Sequence, residues 1–249
     1  MRVDFHSHIL PGMDDGAKDV AQAMELLGML KKDGVDVVVA TPHFYLDDDS
    51  VDDFLKARSE SALRLNEAIL SSKKNFPEIR LGAEVYFSPA LLELEIDKLC
   101  ISGTNYLLIE LPYQSFSTVL LNSFHDFVRY CGHGIILAHI ERYFEFNTFG
   151  SIDEILEGEV LAQFNCDSAL EWRTRNRLLK LFFEGRLHIM GSDAHDPVRR
   201  PPRFGKAEKF LRRKYGNNEV NLLLKAAELA IKNAESGKIA GLRQGSFSF

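Results

Sequence analysis

A chain of 249 residues, 45% hydrophobic and 27% charged, is long enough to bury one substantial core and has an ordinary globular composition, so a single domain over 1–249 is expected. Its formal charge of −6 gives no broad cationic footprint for a phosphate backbone, so no nucleic acid is expected as a partner. Cys100, Cys131 and Cys166 lack C-x-x-C spacing, which argues against a disulfide framework or a zinc ribbon and fits a reducing cytoplasm; no leader-like start is visible, and no apolar run nears the ~20 residues of a transmembrane segment.

The first strand runs from Val3 through Phe5 into His6-Ser7-His8-Ile9-Leu10-Pro11-Gly12-Met13-Asp14-Asp15-Gly16. Residues i and i+2 of a strand share a side, so His6 and His8 point together, as a shared metal would need. Val20, Ala23, Met24, Leu27 and Leu30 then recur at helical spacing, with Asp19 and Gln22 as a capping pair and Gly34 as the stop. A buried strand over 35–40 ends in Thr41-Pro42-His43, where Pro42 blocks its continuation.

A charged helix over 50–72 precedes a strand over 79–84 that ends on Glu84, and a helix over 89–99 follows. The apolar strand 106–109 delivers Glu110. A helix over 117–130 leads to strand 134–138 and His139, strand 160–164 ends near Asn165, and a helix over 175–184 precedes strand 187–190. That strand opens into Gly191-Ser192-Asp193-Ala194-His195. Two helices within 205–235 and a less ordered tail over 236–249 complete the chain. Seven strand-then-helix units predict an α/β fold with a parallel sheet, and polar residues gathered at the C-terminal strand ends are what the active face of a βα barrel looks like.

The strand-end residues are His6, His8, His43, Glu84, Glu110, His139, Asp193 and His195, joined by Asp15 from the first loop. These are nitrogen and oxygen donors without sulfur, suited to manganese, iron or zinc, and carboxylates that bridge would allow two or three ions. Any one such histidine is more often a hydrogen-bonding core residue; the joint pattern carries the metal reading. Glu110 follows four apolar residues, and a buried carboxylate without a partner is costly. His125, His133 and His188 fall away from strand ends and are read as surface or packing residues. Between Asp14 and Asp15 the spacing does not choose, since one of them can cap the turn.

A thiol phosphatase would need Arg six positions after its Cys, where this chain has Tyr106, Leu137 and Trp172. Neither a G-x-S-x-G elbow nor a phosphate-binding P-loop is present. Arg142 and Arg200 extend from loops just past His139 and His195, placed either to clamp an anion bidentately or to form ordinary loop salt bridges.

Together, His6 through Ala17, Thr41-Pro42-His43, Ala138-His139-Ile140-Glu141-Arg142-Tyr143 and Ser192-Asp193-Ala194-His195 with Arg200-Pro201-Pro202 resemble the polymerase-and-histidinol-phosphatase (PHP) superfamily. More narrowly, they resemble the bacterial PHP-type protein-tyrosine phosphatases encoded with capsule and exopolysaccharide genes. The resemblance implies a distorted seven-stranded (β/α)7 barrel with extra C-terminal helices and a cluster of two to three divalent ions, most often Mn2+. By motif position the ligands would be His6, His8, Asp15, His43, Glu84, Glu110, His139, Asp193 and His195, with Arg142 and Arg200 on the substrate phosphate.

The implied substrate is phosphotyrosine on a tyrosine autokinase that regulates capsule or exopolysaccharide synthesis, in the cytoplasm and at the inner face of the membrane where the kinase recruits it. The rival readings are a small-molecule phosphomonoesterase of the histidinol-phosphatase kind, a PHP nuclease and a non-catalytic metal-binding scaffold. Helical surfaces leave room for a homo-oligomer, with no stripe singling one out. One departure from the family pattern is visible: Ile140 stands where the family usually has Pro after the histidine.

Overall fold

The computed structural model describes residues 1–232; the expected end of the last helix and the tail over 236–249 lie outside them. Nine strands are interspersed with helices among the described residues: β1 (Val3–Ser7), β2 (Val37–Ala40), β3 (His43–Phe44), β4 (Glu78–Leu81), β5 (Glu84–Tyr86), β6 (Tyr106–Glu110), β7 (Gly134–Leu137), β8 (Val160–Asn165) and β9 (Ile189–Gly191). They form two parallel sheets, β1-β2-β4 and β3-β5-β6-β7-β8-β9.

Seven expected strands become nine because one of them breaks where the chain changes sheet and a further short strand, β3, begins past the expected end of another. Pro42 separates β2 from β3, and Gly82 separates β4 from β5, so the strand expected over 79–84 is two strands. At Gly82 a Cβ would stand 3.2 Å from Ile101 and 3.3 Å from Val39, so the bare backbone lets the chain cross a crowded point. Beyond the break, His43 and Glu84 sit directly opposite each other in register.

The helices are α1 (Val20–Lys32), α2 (Val51–Ser72), α3 (Thr118–Tyr130), α4 (Phe149–Ile155), α5 (Cys166–Leu170), α6 (Trp172–Phe183), α7 (Phe204–Tyr215) and α8 (Asn217–Lys232). Asp19 caps α1 by accepting from the Gln22 amide, and Ser50 caps α2 through Asp53. The expected helix over 89–99 is instead two 3-10 turns, Pro89–Glu93 and Asp97–Leu99. Glu93 and Asp97 would be like-charge neighbours four apart on a continuous helix, which disfavours it.

Period-two alternation splits the buried strand residues between two layers. Val3, Phe5, Val37, Val39, Leu108, Ile136 and Ile189 share one cluster, while Val38, Leu107, Ile109, Ile135 and Leu137 pack with the surrounding helices. Ala227, Ala230 and Ile231 of α8 join the first cluster, and Glu228 of α8 meets the terminal amine at 3.5 Å, so this helix covers the end where β1 begins. The other end of β1 is joined to the end of β9: Ser7 bridges Ala194, His8 N donates to Ala194 O at 2.9 Å and Asp193 N donates to His6 O at 2.7 Å. Among the described residues no helix is long and apolar enough to cross a membrane.

Candidate metal centre

The hydrogen bonds between the ends of β1 and β9 carry Asp193 and His195, nearly two hundred residues away in sequence, to the side of His6 and His8. Two close approaches permit it. A Cβ at Gly16 would lie 2.2 Å from His8 O, and one at Gly191 would lie 2.6 Å from His6 Cβ, so only glycine lets the first loop and β9 close on the histidines. His139 and Asp193 both sit in the left-handed backbone region, with φ of 31° and 52°, and such strain in non-glycine residues gathers at functional sites.

Glu84 is the hub. Its Oε2 lies 3.1 Å from His6 Nε2, 3.2 Å from His8 Nε2 and 3.1 Å from His43 Nδ1, and its Oε1 lies 2.7 Å from His139 Nε2. Glu110 Oε1 is 3.3 Å from the same His139 nitrogen. Asp193 Oδ1 stands 3.6, 3.5 and 3.4 Å from His6, His8 and His195. Asp15 reaches His195 Nε2 at 3.2 Å and His43 Nε2 at 3.6 Å from an exposed loop. All nine sequence-predicted donors thus fall into four overlapping groups whose ligand atoms lie within 4.8 Å of one another.

These charges do not settle by themselves. Burial opposes charge on His8, but Asp14 and Glu84 outweigh it and raise its pKa to about 10; His139 is raised likewise, to about 9, by Glu110 and Glu84. Burial, followed by the charge on His8, lowers His195 to about 4, and burial also lowers His43. Glu84 and Asp193 are held below the carboxylate range, burial being overcome by the charge of His6 and, for Asp193, of Arg142. His43 Nδ1 and His195 Nε2 are buried without a hydrogen-bond partner. Neutral imidazoles with unclaimed nitrogens, facing ionised carboxylates, are the donor set of a divalent cation, and the residues present fit one.

The ring nitrogens turned away from the cluster are held from behind. Asp14 Oδ2 accepts from His8 Nδ1 at 2.7 Å, and Asp14 also takes the Gly16 and His43 amides. Burial resists that carboxylate's charge, but His8 draws its pKa down to about 2. His6 Nδ1 donates to Gln163 Oε1 at 3.1 Å, and His195 Nδ1 to Asp193 O at 2.9 Å. Such partners fix ring orientation at metal sites. The two aspartates therefore have separate places, Asp15 among the donor atoms and Asp14 behind His8.

Arg142 and Arg200 converge on one atom. Asp193 Oδ2 receives Arg142 Nη2 at 2.5 Å, Arg200 Nη2 at 2.7 Å and Asn165 Nδ2 at 2.7 Å. Arg142 also bonds the Tyr113 hydroxyl, which donates to Glu110 Oε1 at 2.7 Å. Both guanidiniums are partly exposed and border a groove of about 670 Å³. Ile140, in the place of the usual Pro, is fully buried while Arg142 N still donates to His139 O at 2.9 Å; packing anchors this loop without the ring.

Tyr113, Gln163, Asn165 and Asp4 were not among the residues predicted from sequence. Gln163 and Asp4 had a signal: each is a polar residue inside a strand that is otherwise wholly buried, where an unpaired polar group is costly. Asp4 accepts from Ser192 N at 2.7 Å, and burial raises it to about 6. Tyr113 had none, because its loop is irregular. His125, His133 and His188 bond elsewhere, to Glu154 O, to Asp97 and to Ala162 N. The three thiols are outside the cluster, and burial pushes Cys100 up to about 12.

The family model for capsular polysaccharide synthesis, CpsB/CapC, matches residues 2–235. The tyrosine-protein phosphatase YwqE of Bacillus subtilis is 28% identical over 93% of this chain and 92% of its own length. The putative tyrosine-protein phosphatase CapC of Staphylococcus aureus is 29% identical over 95% and 93%, and the tyrosine-protein phosphatase CpsB of Streptococcus agalactiae is 27% identical over 94% and 97%. A solved structure from the pair YwqE of Bacillus subtilis and CpsB of Streptococcus pneumoniae, described as unique metal-dependent tyrosine phosphatases, superposes with a TM-score of 0.79. It covers 93% of this chain and 94% of its own at 24% identity, a likeness that shows the fold.

Proposed function

This chain belongs to the capsular polysaccharide synthesis CpsB/CapC family, and from that premise we propose that it is a metal-dependent protein-tyrosine phosphatase. Its substrate is phosphotyrosine on a tyrosine autokinase that controls capsule or exopolysaccharide synthesis, met in the cytoplasm at the inner face of the membrane. The observation that carries the reading is the convergence of nine nitrogen and oxygen donors, without sulfur, beside two guanidiniums that share Asp193. On this reading the two parallel sheets are one distorted seven-unit barrel in a single domain, with the Ser7–Ala194 bridge as its seam.

His6, His8, Asp15, His43, Glu84, Glu110, His139, Asp193 and His195 would hold two to three divalent ions, manganese foremost. Bound there, such ions supply Lewis-acid polarisation of phosphoryl oxygens and acidify water. Arg142 and Arg200 bind the phosphate, exchanging part of their hold on Asp193 for its oxygens, a geometry for which forked guanidiniums are suited. Asn165 keeps Asp193 in place during that exchange. Tyr113 steadies Arg142 from the far side. A phenolate leaves with a pKa of about 10, so the leaving group makes little demand for a proton donor, and no side chain is assigned that task.

The test is turnover of a phosphotyrosyl peptide and of histidinol phosphate after chelation and after reconstitution with manganese, with bound metal counted by elemental analysis. We expect activity only in the reconstituted protein, two to three ions per chain, and preference for the peptide. Preference for histidinol phosphate, or full activity without metal, overturns the proposal.

A further inference from the structure

The groove beside Asp193 is larger than a phosphate and one ring would fill. Its volume of about 670 Å³ lies within the range that encloses a drug-sized ligand. Arg142, Asp193 and Arg200 line it, and its walls also include Phe144 and Glu145 and, at the start of α6, Arg173 and Thr174. A phosphate held by Arg142 and Arg200 would therefore leave most of this space to whatever the phosphate is attached to.

The guanidiniums in the groove differ in what they already hold. Arg142 and Arg200 are on Asp193. Arg177 bonds Phe144 O and lies over the rings of Phe144 and Phe149 at 5.9 and 5.7 Å, so it braces the wall. Arg173 has no carboxylate partner among the described residues; its guanidinium lies 5.5 Å from the ring of Trp172. Trp172, the chain's single tryptophan, is 72% exposed. A large amphipathic ring left in water beside an unpaired arginine is the composition of a binding surface, where Trp and Arg dominate the energetics.

Resting on the phosphatase reading, we infer that this groove binds the polypeptide flanking the phosphotyrosine, with Arg173 of its lining and Trp172, which lies against Arg173 outside that lining, as contacts for the flanking residues. What the groove adds to that reading is the place where the residues beside the phosphotyrosine are held, and Arg173 and Trp172 as the side chains that separate a peptide from a free aryl phosphate. The groove carries Glu145 and Glu171 as well as arginines, so its charge is mixed and does not favour a peptide of one net charge.

The experiment compares kcat/KM for a phosphotyrosyl peptide and for p-nitrophenyl phosphate in the manganese-loaded wild-type protein and in Trp172→Ala and Arg173→Ala. Both side chains are exposed, so the variants should fold. We expect the ratio of peptide to small ester to fall about tenfold in each, the scale of one well-placed interface side chain, mainly through the KM for the peptide. A ratio unchanged in both variants, with the wild type active on both substrates, overturns the groove assignment and leaves the phosphatase standing. A wild-type protein that hydrolyses neither substrate removes the phosphatase reading and the groove assignment with it.

Discussion

The two ends of β1 carry opposite kinds of buried polar cluster. At the start of the strand, Glu208 of α7 is taken by Arg2 Nε at 2.6 Å and Arg212 Nε at 2.8 Å, and both of its oxygens are bonded. One carboxylate lies between two guanidiniums, and nothing further is needed. At the end of the strand, Glu84 alone faces four imidazoles, some pushed towards charge and some away from it, and buried nitrogens of His43 and His195 stand near carboxylates without making a hydrogen bond. Burial of polar groups is common to both ends. What separates a structural knot from a binding site is whether the groups satisfy one another, since unpaired buried polar atoms are kept only where something else completes them.

The sharpest way to break this comparison is Glu84→Gln. The amide keeps the shape, removes the charge shared by His6, His8, His43 and His139, and turns N–H donors towards ring nitrogens. The expected result is a loss of hydrolysis exceeding the roughly 10–100-fold that follows removal of an outer partner, together with fewer ions in elemental analysis of the reconstituted protein. A Glu84→Gln protein with a full metal complement and wild-type turnover would show that the charge of Glu84 is not what holds the cluster to its metal.

A smaller effect is expected one layer out. In Asp14→Asn the ring of His8 keeps a neighbour of the same size but loses the charged acceptor 2.7 Å from Nδ1, so its other nitrogen becomes a poorer donor to a cation. Metal affinity should fall by about 10–100-fold, read as a shift in the manganese concentration giving half-maximal activity. Turnover at saturating manganese should recover, which a lost direct ligand would not allow. Failure to shift would place Asp14 with the turn alone.

How much of this was legible in the sequence follows from how local each cause is. Parallel α/β architecture and eight of the nine candidate donors could be read because strands end in hydrophilic residues after short apolar runs, and alternation pairs His6 with His8; Asp15, on the first loop, was chosen over Asp14 only through the family resemblance. The breaks at Pro42 and Gly82 were harder. Pro42 was visible as a stop, but a new strand resuming at His43 depends on pairing with β5, a contact distant in sequence. The partners behind the rings were mostly hidden for the same reason: Gln163 meets His6 across 157 positions. Tyr113 sits on an irregular loop, where no periodicity indicates which way a side chain turns.

The other cluster supplies the least disruptive substitution for activity. Glu208→Gln leaves the strand-end donors untouched, so hydrolysis under folded conditions should match the wild type. Hydrogen bonds to charged groups are typically worth ~1.5–3 kcal/mol, and unfolding by denaturant should show a loss of that order. The pH dependence has a definite sign. Burial works against the Glu208 charge, but the bonds from Arg2 and Arg212 prevail and hold its pKa below the ordinary carboxylate value. Its contribution is therefore present above that ordinary value and is lost as pH falls through the lowered one. The stability gap between wild type and variant should close on acidification through that window; a gap that stays constant from neutral to acidic pH would mean that Glu208 acts through packing instead of charge, and the contrast between the two ends of β1 would then rest on the strand-end cluster alone.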